Sequence, residues 1–142
     1  MAKANNTAIE GREIKFRCWD GKTMMYQDDY EEASAHWNIS SIFEYNDGAT
    51  FMQYTGLKDK AGTEIYEGDI VSIEHRTQGS GKYTKYKQFN CPVEYYKAGF
   101  IVKWPEDYGA YRFRDGDNFT KSEVIGNIYQ HPQLISNQSL TK

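Results

Sequence analysis

The amino-acid sequence predicts a mainly β fold, at the margin of the α+β class, built from short antiparallel strands and hairpins. Aromatic residues make up 15% of the 142 residues, whereas leucine occurs only three times. Short β-branched and aromatic runs are separated by glycines, which is typical of strands joined by turns. We expect one domain, since a chain of this length has no room for two large cores.

The chain enters this domain through a predicted hairpin. Residues 13–19 alternate, with apolar positions 14, 16 and 18 on one face and Lys15 and Arg17 on the other, which predicts a half-buried strand. A turn at 20–22 leads into a second strand over 23–26. Asp28 and Glu31 have the spacing of a capping box, which predicts one short helix near residues 29–37.

The strongest hairpin signal joins predicted strands over 41–45 and 50–55, because an Asp-Gly pair separates them. Residues 56–63 read as a polar loop. Further strands are predicted over 68–75, 83–96, 100–104, 110–113 and 123–129, and their rhythm predicts a small SH3-like barrel in the C-terminal half.

The predicted domain covers residues 11–135, with an N-terminal hairpin lobe at about 11–66 and a β-barrel lobe at about 67–135. Residues 1–10 and 136–142 contain little apolar material and are expected to be flexible tails.

Composition and spacing exclude several chemistries. No apolar run is long enough to span a membrane, and the N-terminus lacks a secretory signal, so we expect a cytoplasmic protein. The residues on both sides of the glycine-rich segment 79–82 do not match the pattern of a phosphate-binding loop. The cysteines and histidines are scattered along the sequence and show no spacing typical of a metal or catalytic site. We therefore expect no catalytic residues, no metal and no cofactor, and hence no enzyme.

Residues 76–97 form a basic segment in which lysines are interleaved with tyrosines, here called the Lys/Tyr hairpin. Cations pair with phosphates and exposed rings stack on bases, so this segment could bind nucleic acid or a nucleotide. The alternative is a solvated edge hairpin whose lysines oppose aggregation. The candidate binding residues are Lys82, Tyr83, Lys85, Tyr86, Lys87, Tyr95, Tyr96 and Lys97.

Three blocks, in order along the chain, resemble the YopX family of small bacteriophage and prophage proteins. They are residues 12–20 (REIKFRCWD), 52–71 (MQYTGLKDKAGTEIYEGDIV) and 123–129 (EVIGNIY), the last followed by Pro132 and Leu134. The insert at 28–38 and the hairpin at 77–96 depart from the pattern. The resemblance implies a mainly β fold with some helix and a phage or prophage origin, so that the expected cytoplasm is that of a bacterial host cell, and it carries no established activity to particular residues.

Four acidic residues of the second block flank one loop and could form an acidic rim that meets a partner: Asp59, Glu64, Glu67 and Asp69. The alternative is that the block is a scaffold of glycine turns and core isoleucines. The leading hypothesis is a non-enzymatic protein that binds a host protein, because tyrosine and tryptophan are good interface anchors. Nucleic-acid or nucleotide binding through the Lys/Tyr hairpin is the alternative, and tyrosine-rich strands are also compatible with a homo-oligomer.

Overall fold

Two antiparallel sheets make up the computed structural model, which describes residues 11, 13–30, 48–103, 110–112 and 121–136. The first sheet has the order β2-β1-β3-β4 and contains β1 (Phe16–Trp19), β2 (Met24–Tyr26), β3 (Thr50–Lys58) and β4 (Glu64–Tyr66). The second has the order β8-β7-β6-β5-β9 and contains β5 (Asp69–Gln78), β6 (Lys85–Tyr96), β7 (Gly99–Lys103), β8 (Ala110–Arg112) and β9 (Glu123–Asn127). The predicted mainly β class is confirmed.

The second sheet is curled into half a barrel. Strands β5 to β8 form a meander, and β9 returns to pair with β5 on the opposite side from β6. This arrangement confirms the prediction of small-barrel architecture in the C-terminal half.

Helical structure is sparse within the described ranges. Short 3₁₀ turns cover Gln27–Tyr30 and Gly81–Tyr83, and one helix, α1, covers Gln133–Ser136. Most of the helix predicted near 29–37 lies outside the described residues, as does the strand predicted at 41–45. In the part of the chain that the structure describes, no helix is long and apolar enough to cross a membrane.

Strand β6 changes its partner halfway along. Its first part, through Pro92, pairs with β5, and Val93 to Tyr96 pair with β7. Proline has no N–H to donate, which suits the point where a strand changes neighbours. Because the pairing of β5 with β9 ends at Ser72, residues 73–78 and 85–89 pair only with each other among the described residues. We call this two-stranded extension, residues 73–89, the ribbon.

The core lies mainly on the inner face of the second sheet. Val71 and Ile73 of β5 pack with Phe89, Cys91 and Val93 of β6, and Val102 joins them from β7. Ile65 of β4, which is fully buried, belongs to the same cluster and so ties the two sheets together.

The turn between β4 and β5 requires glycine. Gly68 has a φ of 83°, and a Cβ there would lie 2.9 Å from the Sδ atom of Met52. Its N–H donates to the Val93 carbonyl (2.8 Å) and its own carbonyl accepts from Ile128 (2.9 Å). This turn therefore joins three segments that are distant in sequence.

Candidate functional site

A pocket of about 310 Å³ lies where the three sequence blocks meet. We call it the Arg17 pocket. Arg17 comes from the first block and Val124 from the third, and the second block supplies Thr63, Glu64, Tyr66 and Asp69, while Tyr26 and Asp28 complete the lining. The fold thus brings residues more than a hundred positions apart into one concave site.

Arg17 is the central residue of this pocket, and its burial contradicts the expectation of a solvent-facing basic side. Only 2% of Arg17 is exposed, whereas Ile14, expected on the buried face, is 62% exposed. The guanidinium donates to an Asp69 carboxylate oxygen at 2.8 Å and to the Glu67 carbonyl at 3.1 Å. It also lies over the Tyr66 ring, with Cζ 4.8 Å from the ring centroid. Because these partners cover the basic face of β1, the strand is covered on both faces: Cys18, on the opposite face, is also fully buried.

Asp69 completes a buried ion pair with Arg17. Its second oxygen accepts the backbone N–H of Tyr66 at 2.7 Å, which holds the turn that carries Gly68. Burial raises the pKa of the Asp69 carboxyl above its usual range, although the Arg17 charge and the Tyr66 N–H oppose that rise. The carboxylate therefore depends on Arg17 to remain charged inside the protein.

Lys15 sits beside the pocket and is also buried. Its ammonium is paired with Glu64, with Asp28 (3.0 Å) and with Glu13 (3.4 Å), and it lies 5.1 Å from the centroid of the Tyr54 ring. Burial alone would lower the pKa of Lys15, but the hydrogen bonds to Glu64 and Asp28 outweigh it and raise the pKa above its ordinary value. Three carboxylates share one ammonium, so among the described residues the mouth of the pocket keeps an excess of negative charge.

Two of the four predicted acidic-rim residues are buried, and they stabilise the fold through hydrogen bonds and an ion pair. Asp59 accepts hydrogen bonds from the backbone N–H groups of Ala61, Thr63 and Val124, and Asp69 pairs with Arg17. Glu64 and Glu67 are half-buried, and Glu67 accepts from the Gln53 N–H at 3.2 Å. The four therefore do not form a continuous exposed rim, because backbone amides and basic side chains occupy their oxygens.

The eight candidate binding residues of the Lys/Tyr hairpin are all exposed, but they form two groups rather than one surface. Lys82, Tyr83, Lys85, Tyr86 and Lys87 lie at the tip of the ribbon. Tyr95, Tyr96 and Lys97 lie at the other end of β6, at the turn into β7. Tyr96 lies ten positions after Tyr86 in the same extended strand, a span of up to about 33 Å.

One member of the second group, Tyr95, lies at a groove between the two sheets, with a volume of about 280 Å³. Tyr95 lines the groove together with Phe51 and Met52 of β3 and with Ile128 and Tyr129, which follow β9. The Tyr95 ring packs edge to face against Phe100 at 5.3 Å, which fixes its orientation. We call this surface the Tyr95 groove.

The described cysteines are poor candidates for nucleophiles. Both Cys18 and Cys91 are fully buried. Burial raises the pKa of the Cys91 thiol to about 12, and burial together with the nearby Asp20 charge raises that of Cys18. Within the described ranges, no group of three or more His, Cys, Asp or Glu side chains is placed to hold a metal ion.

Sequence reasoning missed the central members of the Arg17 pocket. It treated Arg17, like the neighbouring Lys15, as part of an outer face, and it did not select Tyr26 or Tyr66. The available signal was the combination of basic residues in the first block with acidic residues in the second block. It could be used only after the two blocks were known to be neighbours in space.

Comparison with known proteins supports this architecture. The model of the family described as YopX protein matches residues 15–136. A search of curated proteins gave no match. Among solved structures, the crystal structure of protein EF1440 from Enterococcus faecalis is similar, with a TM-score of 0.56 and 24% sequence identity over 88% of this chain and 99% of that chain. At this identity the likeness concerns the fold alone.

Proposed function

The chain belongs to the YopX protein family, and we propose that it is a non-enzymatic accessory protein of a phage or prophage that binds a protein of the host cell. The observation that carries this proposal is where the exposed apolar side chains lie. Five large hydrophobic residues are exposed in the described part of the chain, and four of them are Tyr83, Tyr86, Tyr95 and Tyr96, next to the two ends of β6. Exposed tyrosines are frequent anchors of protein interfaces.

The Tyr95 groove is the proposed docking surface for the host protein. It combines the exposed Tyr95 with a concave apolar wall, so that a side chain of the partner can be buried there. Glu67 and Glu94 also line the groove, which favours a partner that places a basic residue beside its apolar anchor.

The experiment is capture from host lysate by the tagged protein, with and without nuclease, using the double variant Y95S/Y96S. We expect one host protein to be captured by the wild type after nuclease treatment and to be lost with this variant. The matched control is Y83S/Y86S, which removes two tyrosines from the ribbon tip and should keep the capture. Equal capture by Y95S/Y96S, or no nuclease-resistant capture, would contradict the proposal.

Nucleic-acid binding through the ribbon is a second candidate, favoured by the shape of the ribbon. A two-stranded antiparallel ribbon fits the major groove of duplex DNA, which is about 12 Å wide. Residues 73–89 contain Arg76, Lys82, Lys85 and Lys87 against the single acid Glu74. The Lys82 ammonium lies 5.1 Å from the Tyr83 ring centroid, so cation and ring are presented together.

This candidate is tested by titrating labelled duplex and single-stranded DNA with wild-type protein at several salt concentrations. Binding through the ribbon predicts that log K falls with log salt by about 0.9 per phosphate contact on duplex DNA. K85E/K87E should abolish binding, while K22E/K121E, which reverses two exposed lysines elsewhere, should retain most of it. Equal losses in both variants would indicate attraction by overall charge rather than by the ribbon.

A further inference from the structure

The Arg17 guanidinium has unused hydrogen-bonding capacity. A guanidinium carries five N–H donors. Three hydrogen bonds are made, to Asp69, to the Glu67 carbonyl and to the Tyr26 hydroxyl, the last at 3.4 Å. Within the described residues, Nε is buried and has no partner. Nε is covered from solvent, so a ligand in the pocket does not reach it, whereas Nη1 makes only the long bond to Tyr26 within the described residues and can still donate to an acceptor oxygen.

The mouth of the same pocket, in contrast, carries carboxylates and therefore negative charge. Asp28 and Glu64 line it, and in the part of the chain that the structure describes one ammonium, that of Lys15, pairs with both and is shared with Glu13. The Asp28 side chain is half exposed, so that its carboxylate is open to a group arriving from solvent. The excess of carboxylates at this edge favours a positive charge on the ligand.

We propose that the Arg17 pocket binds an ammonium group that stands next to a carbonyl oxygen, the group shared by free α-amino acids and the amino termini of peptides. The ammonium pairs with Asp28 and Glu64 at the mouth, and the carbonyl oxygen accepts from Arg17 inside. The half-buried Tyr26 ring, which stands edge to face against Tyr66 at 5.7 Å, is the aromatic surface beside the incoming cation.

Neither the ammonium nor the carbonyl oxygen alone would pair with all the charged groups of the pocket. A simple anion would be repelled by the carboxylates at the mouth, and a simple cation would leave the Arg17 donor unpaired. The volume, about 310 Å³, lies at the lower limit of ligand pockets and suits one amino-acid unit rather than a large cofactor. The Arg17 pocket shares no lining residue with the Tyr95 groove, so this inference does not depend on the proposed host-protein surface.

The test uses calorimetric titration of the full chain with three probes: free alanine, trialanine amide and N-acetyl-trialanine amide. We expect trialanine amide to bind and its acetylated form to lose binding, since acetylation removes the ammonium and keeps the carbonyl groups. Binding of alanine as well would identify an amino-acid site, and binding of the peptide alone would identify an amino-terminus site.

Two variants then locate the binding. Asp28→Asn should weaken it about tenfold or more, the effect of losing one hydrogen bond to a charged group. Glu13→Gln is the matched control, because Glu13 also contacts Lys15 but does not line the pocket, and it should leave the affinity unchanged. Equal binding of the acetylated peptide, equal effects of the two variants, or no binding of any probe would overturn the proposal.

Discussion

Asp59 provides a stability test that distinguishes a structural carboxylate from an exposed rim. One of its oxygens accepts from the N–H groups of Ala61 and Thr63, and the other accepts from the Val124 N–H, all at 2.9 Å. Asp59 is only 6% exposed. The carboxylate therefore closes the loop after β3 and attaches it to β9.

The cost of Asp59→Ala follows from these three bonds. The half-buried Val124 amide loses a charged acceptor, at about 2–3 kcal/mol. Ala61 and Thr63 are exposed, so water can replace the acceptor and each amide costs only about 0.5–1 kcal/mol. We expect a total loss of roughly 3–5 kcal/mol in the free energy of unfolding. Asp59→Asn keeps one acceptor oxygen and should cost only about 1–2 kcal/mol.

The effect also depends on pH. Burial by itself would raise the pKa of Asp59, but the hydrogen bonds from the Val124, Thr63 and Ala61 N–H groups lower it below its usual value. Because the folded-state pKa is depressed, the stabilisation is present above the unfolded pKa of about 3.9 and is lost as the pH falls through the folded value. The stability difference between wild type and Asp59→Asn should therefore narrow below about pH 4.

The assay is urea denaturation followed by circular dichroism at pH 7 and at several points down to pH 3. The control is Glu123→Gln, which removes an exposed carboxylate paired with Lys60 at 3.3 Å and should change stability by less than about 1 kcal/mol. The reasoning fails if Asp59→Ala is as stable as this control. It also fails if the difference between wild type and Asp59→Asn stays constant across the pH range.

Three further substitutions probe the buried charges and one close contact. Arg17→Met should cost about 3–5 kcal/mol in urea denaturation, because it leaves the Asp69 carboxylate buried without its cation. Lys15 has a raised pKa, so its contribution to stability is present below the ordinary value of 10.5 and is lost as the pH rises through the folded value. Urea denaturation at pH 8 and pH 11 should therefore show a steeper alkaline loss for wild type than for Lys15→Met. Gly126→Ala should lower the melting temperature, because its Cβ would lie 2.6 Å from Nδ1 of His131.

Each of these has its own control. Asp69→Asn added to Arg17→Met should restore part of the lost stability, because it removes the unpaired charge, and a fully additive loss would argue against the ion pair. If the wild type and Lys15→Met lose the same free energy of unfolding between pH 8 and pH 11, the stabilising role assigned to Lys15 is wrong. Gly99→Ala introduces a Cβ with no atom within 4 Å and should leave the melting temperature nearly unchanged. A similar shift at positions 99 and 126 would argue against the His131 contact.

Local patterns were sufficient to predict most of the strands. The alternation at 13–19, the turn at 20–22 and the glycine-punctuated runs after residue 68 correspond to β1, β2 and β5 to β9. These signals depend on side-chain period and turn chemistry, which act over a few residues. The strand β4 and the helix α1 were not predicted, because three or four residues are too few to show a period.

Which face of a strand is covered is a different question from which residues share a face. The alternation correctly separated Lys15 and Arg17 from the apolar positions of β1. It did not reveal that Glu64 and Asp69, some fifty residues later, would lie over the basic face and bury it. A charged face of a strand can be buried only where residues of opposite charge lie against it. Whether they lie there depends on long-range strand pairing.

The amino-acid order alone therefore established the β class, the family resemblance and the strand positions, because short-range periodicity and turn residues encode them. Tertiary structure alone decided that the three blocks enclose the Arg17 pocket, and that the lysines and tyrosines of the Lys/Tyr hairpin divide between the ribbon tip and the turn into β7, next to the Tyr95 groove. The reason is geometric. Pockets and surfaces are made by residues from different strands, and their proximity is set by sheet order and by the change of partner along β6, which local spacing does not record.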